Sequence, residues 1–448
     1  MADAPMNEAQ QVAQLEQTVA DLLQEARKQG ADAAEAGVSA QTGLSVTVRL
    51  GEVETIEHTR DNGLGITVYF GRRKGSANTT DLRPEAVRES VAAACRIARY
   101  TSEDPAAGLA DAELMARDVP DLDLYHPWTI DADTAARLAL RCEDAARAVD
   151  ARIGNSEGAT LYTQRSAFVY GNTHGFVGGY PTSRHSLSCA VIAQQGDEMQ
   201  RDYWYDSGRV PGELAEPESI GRRAAERTLA RLDGRRLGTR QCPVLFRAEI
   251  APSLLRSLFG AIRGHAVYRR STFLLDQVGQ QIFPDWVKIS EDPLRPRGQA
   301  SAPFDNEGVA TRYRELVSDG VLQGYLLDSY SARKLGLQST ASAGGVRNAS
   351  IVDTGQDFDA LLREMDTGLV VTELMGQGTN MVTGDYSRGA AGFWVEHGEI
   401  QYPVEEITVA GNLRDMFRQL VAVGNDDQVP GSIRTGSWLI ENMTVGGD

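Results

Sequence analysis

Of the six histidines in this 448-residue chain, His58, His126, His174, His185, His265 and His397, none has a second within ten residues. A zinc hydrolase of the H-E-x-x-H type needs two imidazoles about one helical turn apart on one face, with a glutamate beside the bound water as general base. The wider H-E-x-x-x-H spacing is absent as well, because His265 is followed by Ala266 and has Arg270 five places on. His185 and Cys189 lie in a stretch that alternates like a strand, which sets them roughly 13 Å apart, too far to share an ion whose ligands sit near ~2 Å. A site gathered from distant carboxylates and one histidine stays open on this reading. The most suggestive setting belongs to His265, in "RSLFGAIRGHAVYRR" from Arg256 to Arg270. Leu254, Leu255, Leu258, Phe259 and Ile262 recur at helical spacing and His265 falls on the edge of that stripe, so a helix with an inward-looking imidazole, toward protein or a cleft, is expected.

Nucleophile chemistry finds less support. There is no G-x-S-x-G elbow and no Walker A sequence, and "GQGTNM" from Gly376 breaks the dinucleotide pattern at its third glycine. "GDYSRGAAG", Gly384 to Gly392, bunches Asp385, Ser387 and Arg388 between flexible positions. It reads either as a substrate-binding loop or as a turn leading into a strand at Phe393 to Val395. Glu405 and Glu406, adjacent on a strand, point to opposite faces and make a poor acid/base pair. His174 in "GNTHGF" and His397 in "EHGE" fit an exposed turn and a hairpin loop. The cysteines Cys95, Cys142, Cys189 and Cys242 are isolated, with no C-x-x-C pair, as core thiols of a reducing compartment would be.

Elements must hold these residues. With 42% hydrophobic and 24% charged residues the chain can bury a large core and is too long for one ordinary domain. Val12, Leu15, Val19, Leu22, Leu23 and Ala26 form the stripe of an opening helix. "LSVTVRL" (Leu44, Val46, Val48, Leu50) and "GLGITVYF" (Leu64, Ile66, Val68, Phe70) alternate as half-buried antiparallel strands. A helix starting at Pro84 buries Val87, Val91, Ala94 and Ala98. Residues 101 to 127, with Pro105, Pro120 and Pro127 among acids and small residues, break both periods and read as a surface linker. A second helix-and-strand segment follows, its first helix marked by Leu138, Cys142, Ala145 and Val149, and "GRRLGTRQCP" from Gly234 looks like the main boundary. Asp319-Gly320 signals a hairpin, and Asn412 can cap a last helix. The class is α+β. An N-terminal region of mixed helices and antiparallel strands spans 1–238, with subsegments of about 1–104 and 125–234; a β-rich domain with helices spans 239–448.

The net charge of −17 opposes a phosphate backbone, and the basic groups at Arg72, Arg73 and Lys74 and at Arg235 and Arg236 read as solvated turns, so no direct nucleic-acid contact is expected. The first thirty residues lack the basic start and apolar run of a signal peptide, and no apolar stretch is long enough to span a bilayer. A cytoplasmic protein without membrane contact is the expectation.

Three long strings carry a resemblance. They are "YRRSTFLLDQVGQQIFPDWV" from Tyr268, "VSDGVLQGYLLDSYSARKLG" from Val317 and "GDYSRGAAGFWVEHGEIQYPVEEITVAGNLRDMF" from Gly384. The sequence resembles the PmbA/TldD family, called modulators of DNA gyrase and also a two-component metalloprotease, over nearly the whole chain and least around residues 100 to 130. The resemblance implies two paralogous subunits. TldD-type chains carry H-E-x-x-x-H and zinc on the helix opening the C-terminal domain, whereas PmbA-type (TldE) chains do not. Here, with Gly264 and Arg269 or His265 and Arg270 at the two ligand positions, the chain looks like the PmbA type. It would bind no metal and have no catalytic residue of its own. A TldD-type partner would supply the zinc, the base and the third ligand, and this subunit would complete a heterodimeric chamber for unfolded peptide. A homodimer is compatible with the chain alone. His265, Arg269, Arg270 and Arg388 are the candidate peptide-contact or cleft residues. A regulatory protein-binding factor acting on gyrase and a stand-alone hydrolase with a dispersed site are the competing readings.

Overall fold

The structure is a computed structural model that describes residues 8–427 and 429–447. Residues 1–7, the start of the segment read for a targeting signal, lie outside it. The opening helix α1 (Glu8–Lys28) buries Leu15, Val19, Leu22, Leu23 and Ala26, the stripe its spacing predicts. Then come β1 (Ala33–Arg49), β2 (Glu52–Phe70), β3 (Arg73–Thr79), α2 (Pro84–Tyr100), α3 (Ala132–Arg147), β4 (Asn155–Asn172), β5 (Val177–Gln195), β6 (Glu198–Gly208) and α4 (Pro217–Leu229). All six strands join one antiparallel sheet in the order β3-β2-β1-β4-β5-β6.

Its long strands alternate so regularly that one face of β1 serves two helix pairs. Ala34, Ala36, Val38 and Ala40 pack with α1 and α2, while Leu44, Val46 and Val48 on the same face pack with α3 and α4. Leu50, expected as the next inward residue, instead sits in the β1–β2 turn at φ 53 and is exposed. The buried carboxylate of Glu143 holds that turn by accepting from the amides of Leu50 and Gly51, each at 2.9 Å. Helix α3 also rotates from its expected phase. Ala135, Ala136, Ala139, Cys142 and Ala146 are inside and Val149 is exposed. Small residues win because α4 presses close: a Cβ at Gly221 would lie 2.0 Å from the Cys142 carbonyl oxygen.

The stretch read as a surface linker is a buried strap. Ala106, Ala107, Leu109, Ala110, Ala116, Leu122 and Leu124 are inside. Its carbonyls need donors once buried, and Arg333 of the C-terminal region donates to Ala106 (3.3 Å), Gly108 (3.1 Å) and Leu109 while pairing with Asp111 (3.1 Å).

The C-terminal region runs β7 (Arg240–Phe246), α5 (Pro252–Ala261), α6 (Gly264–Tyr268), β8 (Ile289–Glu291), β9 (Arg314–Ser318), β10 (Val321–Leu322), α7 (Ser329–Leu335), β11 (Ala349–Ile351) and α8 (Phe358–Met365). It ends with β12 (Gly368–Met375), β13 (Asp385–Glu396), β14 (Glu399–Asn412), α9 (Leu413–Arg418), β15 (Leu420–Val423), β16 (Ile433–Arg434) and β17 (Trp438–Gly446). A five-stranded sheet, β10-β9-β8-β11-β16, stands beside a six-stranded one, β14-β13-β12-β7-β17-β15, which an extra β14–β17 pairing curls into a barrel-like form. Helices mixed with mainly antiparallel sheets, whose parallel pairings are β7–β12 and β11–β16, make the class α+β. The Asp319-Gly320 hairpin has φ of 50° and 73°, and a Cβ at Gly320 would meet the Phe283 carbonyl oxygen at 2.4 Å. Asn412 caps α9 by accepting from the Arg414 amide at 3.1 Å. Among the described residues no helix is long and apolar enough to cross a membrane.

Candidate functional site

The helix expected through His265 is two helices. Helix α5 buries Leu254, Leu255, Leu258 and Phe259, then the chain breaks at Ile262 and Arg263. The break has a cause in hydrogen bonding. Leu326 donates its amide to the Ile262 carbonyl (2.9 Å) and the Gly264 amide donates to the Leu326 carbonyl (2.8 Å), a strand-like clasp that interrupts the helical ladder. Past the break α6 points its side chains afresh. His265 is exposed, not inward, and lies edge-on to Tyr268 at 5.8 Å, which in turn meets Tyr330 edge-on at 5.8 Å. The Arg269 guanidinium stands 5.9 Å from the Tyr268 ring centroid, and Arg269 and Arg270 are both exposed.

Gly264 is the tightest point of this segment. A Cβ there would fall 2.2 Å from Ser331 Oγ, 2.5 Å from Ser331 Cβ and 2.9 Å from Leu327 Cδ2. Ser331 cannot easily withdraw, because it is buried in the first turn of α7 and its hydroxyl donates to Asp328 Oδ1 at 2.6 Å. A zinc ion on this segment would need two imidazoles; the positions offer a glycine without room for a side chain and a solvated cation, or one exposed histidine and Arg270. Among the described residues no group of three or more His, Cys, Asp or Glu is placed to hold a metal. The residues present do not fit a zinc site.

Arg388, the fourth candidate, lies far from that cluster in sequence and belongs to a different constellation. The "GDYSRGAAG" stretch is neither loop nor lead-in: β13 begins at Asp385, and Arg388 is half-buried on it, its Nη2 3.5 Å from the Leu374 carbonyl. It lines a hollow of about 290 Å³ between the N-terminal helix α4 and the C-terminal sheet. Beside it an ion-pair network joins the two regions. Arg227 pairs with Glu249 (3.0 Å) and Asp202 (3.3 Å), and Arg231 with Glu373 (2.6 Å). Burial pushes the Glu249 carboxyl up, but Arg247 and Arg227 outweigh it and hold it below the ordinary carboxylate range. Arg223 stacks over the Trp204 ring at 3.6 Å. Sequence reading missed this network because its arginines and acids are scattered from Asp202 to Arg388 and carry no local motif.

The remaining candidates are structural. His185 is buried, its Nδ1 2.8 Å from Thr163 Oγ1 and its Nε2 2.8 Å from the His126 carbonyl, and burial holds its pKa down. His174 and His397 are exposed in turns, as read. Glu405 accepts from Gln200 at 2.6 Å, and Glu406, at φ 52 in a bulge of β14, pairs with Arg236. All four cysteines are buried, and burial pushes the Cys242 thiol up to about 11, so it offers no thiolate nucleophile.

The order of the domains in this α+β fold is that of one known class of metallopeptidase. Residues 34–98, 125–232 and 239–447 match the first, central and C-terminal domains of the PmbA/TldA metallopeptidases. The chain is 54% identical to the metalloprotease PmbA of Escherichia coli O157:H7 over 97% of its own length and 96% of the relative's. It therefore belongs to the PmbA/TldD family. Among solved structures, a modulator of DNA gyrase from Bacteroides thetaiotaomicron superposes with a TM-score of 0.91 at 27% identity, covering 96% of this chain and 98% of that one. TldE from Thermococcus kodakarensis, at 20% identity and a TM-score of 0.85 over 96% of this chain and all (100%) of that one, shares the fold.

Proposed function

We propose that this chain is the non-catalytic, PmbA/TldE-type subunit of a heteromeric zinc metallopeptidase that degrades or processes unfolded peptides in the cytoplasm. The observation that carries this is Gly264. A Cβ there would fall 2.2 Å from Ser331 Oγ and the position five residues on is an exposed arginine, while the other register pairs His265 with exposed Arg270; either way the two positions support a chain without the family's pair of histidine ligands. A TldD-type paralogue then supplies zinc, the general base and the remaining ligand, and this subunit closes the chamber and contacts peptide. His265, Arg269 and Arg270 are exposed next to two tyrosines, a surface suited to an extended, acidic or aromatic segment.

The test pairs metal analysis with turnover on an unfolded substrate, by the chain alone and by the chain mixed with a TldD-type partner. The expected result is no stoichiometric metal in this chain and cleavage only in the mixture. Zinc at one equivalent together with turnover by the chain alone would replace this reading with a stand-alone hydrolase.

A further inference from the structure

The hollow beside Arg388 is positive, and part of its lining lacks partners. Of the arginines facing it, Arg227 and Arg231 are neutralised by Asp202, Glu249 and Glu373, and Arg201 by Glu157 at 2.6 Å. Arg256 at the rim and Arg388 in the wall face the same space, and among the described residues neither has a carboxylate within 4.0 Å. Four buried polar atoms on residues lining the hollow make no hydrogen bond: the donors Ser253 Oγ, Arg227 Nε and Arg388 Nε, and the acceptor Glu249 Oε2, which lies 3.4 Å from Arg247 Nε in an ion pair. Native proteins rarely leave such groups unmet, and an ordered water or a bound ion ordinarily satisfies them. The space also opens at the start of α5, a ten-residue helix whose positive end lies at Ser253.

We propose that this hollow is a carboxylate-binding site. The guanidinium of Arg388, with its fork of donors, takes the carboxylate from the wall, Ser253 donates its hydroxyl, and Arg256 closes the rim. A monoanion matches the charge, because two unpaired arginines stand against three ion-paired carboxylates, Asp202, Glu249 and Glu373; a dianion such as phosphate would meet those three at close range. The apolar side chains of Ile250 and Leu374 on the same lining suit the flank of an organic anion. The carrier is a peptide, through its C-terminal carboxylate or an acidic side chain; that choice rests on the proposed function, whereas the anion site itself does not.

The full chain, without any partner, is titrated calorimetrically with a short peptide free acid, its C-terminal amide, an amide carrying one internal glutamate, and inorganic phosphate. The free acid is expected to bind at least tenfold tighter than the plain amide. Equal binding by the internal-glutamate amide assigns the carboxylate to a side chain and upholds the site. Arg388→Gln and Arg256→Gln are each expected to weaken binding tenfold or more, while Arg137→Gln on the distant helix α3 changes nothing. Arg256 is exposed, so its variant tests the site even where Arg388→Gln impairs folding. Equal affinity for acid and plain amide, indifference to both arginine variants, or binding of phosphate alone overturns the proposal. Carboxylate binding by a chain that never supports turnover in the mixture sinks the subunit reading alone. Turnover in the mixture without carboxylate binding sinks this site alone.

Discussion

Replacing Gly264 by alanine adds one methyl group, and the structure says where it goes. Its nearest neighbours are Ser331 Oγ at 2.2 Å, Ser331 Cβ at 2.5 Å and Leu327 Cδ2 at 2.9 Å, all far inside contact distance. The Ser331 hydroxyl can rotate, but only by giving up its 2.6 Å bond to Asp328, the residue that caps α7 by accepting from the Ser331 amide at 2.7 Å. Its Cβ cannot rotate away at all. Overpacking of this kind costs about 1–3 kcal/mol, and a lost charged hydrogen bond puts the sum toward the upper end. Urea denaturation followed by far-UV circular dichroism measures it. The cause is isolated by adding Ser331→Gly, which removes both clashing serine atoms: in the double variant Gly264→Ala should cost at least ~1 kcal/mol less than in the parent background. A Gly264→Ala chain as stable as the parent would show that position 264 has room for a side chain, and the argument that this helix turn is closed to a histidine ligand would fail.

Two buried groups tilt the pH dependence of stability in opposite directions. Glu307 is pushed up to about 7, first by burial and then by Asp305 and Glu35. Its folded pKa exceeds the unfolded 4.5, so the folded state holds the proton more tightly and stability falls as pH rises from about 4.5 to about 7. Glu307→Gln can keep the 2.9 Å bond from the Ser329 amide and is expected to gain about 1–3 kcal/mol at pH 8 and little at pH 4.5, read from denaturation midpoints. His185 works the other way. Burial lowers its pKa, so the unfolded chain binds the proton first and stability falls as pH drops below about 6.5; His185→Gln should flatten that acid limb even if it lowers stability overall. Arg333→Met strips the strap at residues 106–111 of its charged donor and should cost about 2–4 kcal/mol, with new protease cleavage between residues 101 and 127 as the local readout.

Sequence periodicity read well wherever one local rule governs a residue. The stripe of α1, the Asp319-Gly320 turn, the Asn412 cap and the turn histidines His174 and His397 each depend on neighbours within a few positions, and each stands where it was expected. The misreadings share a different origin, a partner distant in the chain. The apolar spacing extends one helix through His265, but Leu326, distant in the chain, breaks that helix at Ile262 and Gly264. The phase of α3 is set by Gly221 on α4, and the strap is buried because Arg333 reaches it from the other region. The arginine hollow is the extreme case: its arginines and acids are ordinary charged surface residues by type, and only the meeting of β6, α4, α5, β12 and β13 brings them together. The family strings in the sequence identified the chain without revealing that hollow, because a resemblance transfers a fold and not the contacts between scattered side chains.

The two sets of arginines make separable claims about how peptide is held, and salt distinguishes them. Arg269 and Arg270 are exposed, so any attraction they exert on an acidic peptide acts through water, where the screening length is about 10 Å at 0.1 M salt and about 3 Å at 1 M. Arg388 is half-buried with its Nε shielded from solvent, so a carboxylate seated against it keeps most of its attraction as salt rises. Peptide affinity should therefore show a salt-sensitive part removed by Arg269→Gln and Arg270→Gln together, and a residual part, weakly dependent on salt, removed by Arg388→Gln. Fluorescence anisotropy of a labelled acidic peptide between 0.05 and 1 M sodium chloride resolves the two on the full chain. If Arg388→Gln removes the salt-sensitive part instead, the wall arginine is acting as a solvated charge, and the shielded seat assigned to the carboxylate beside it is wrong.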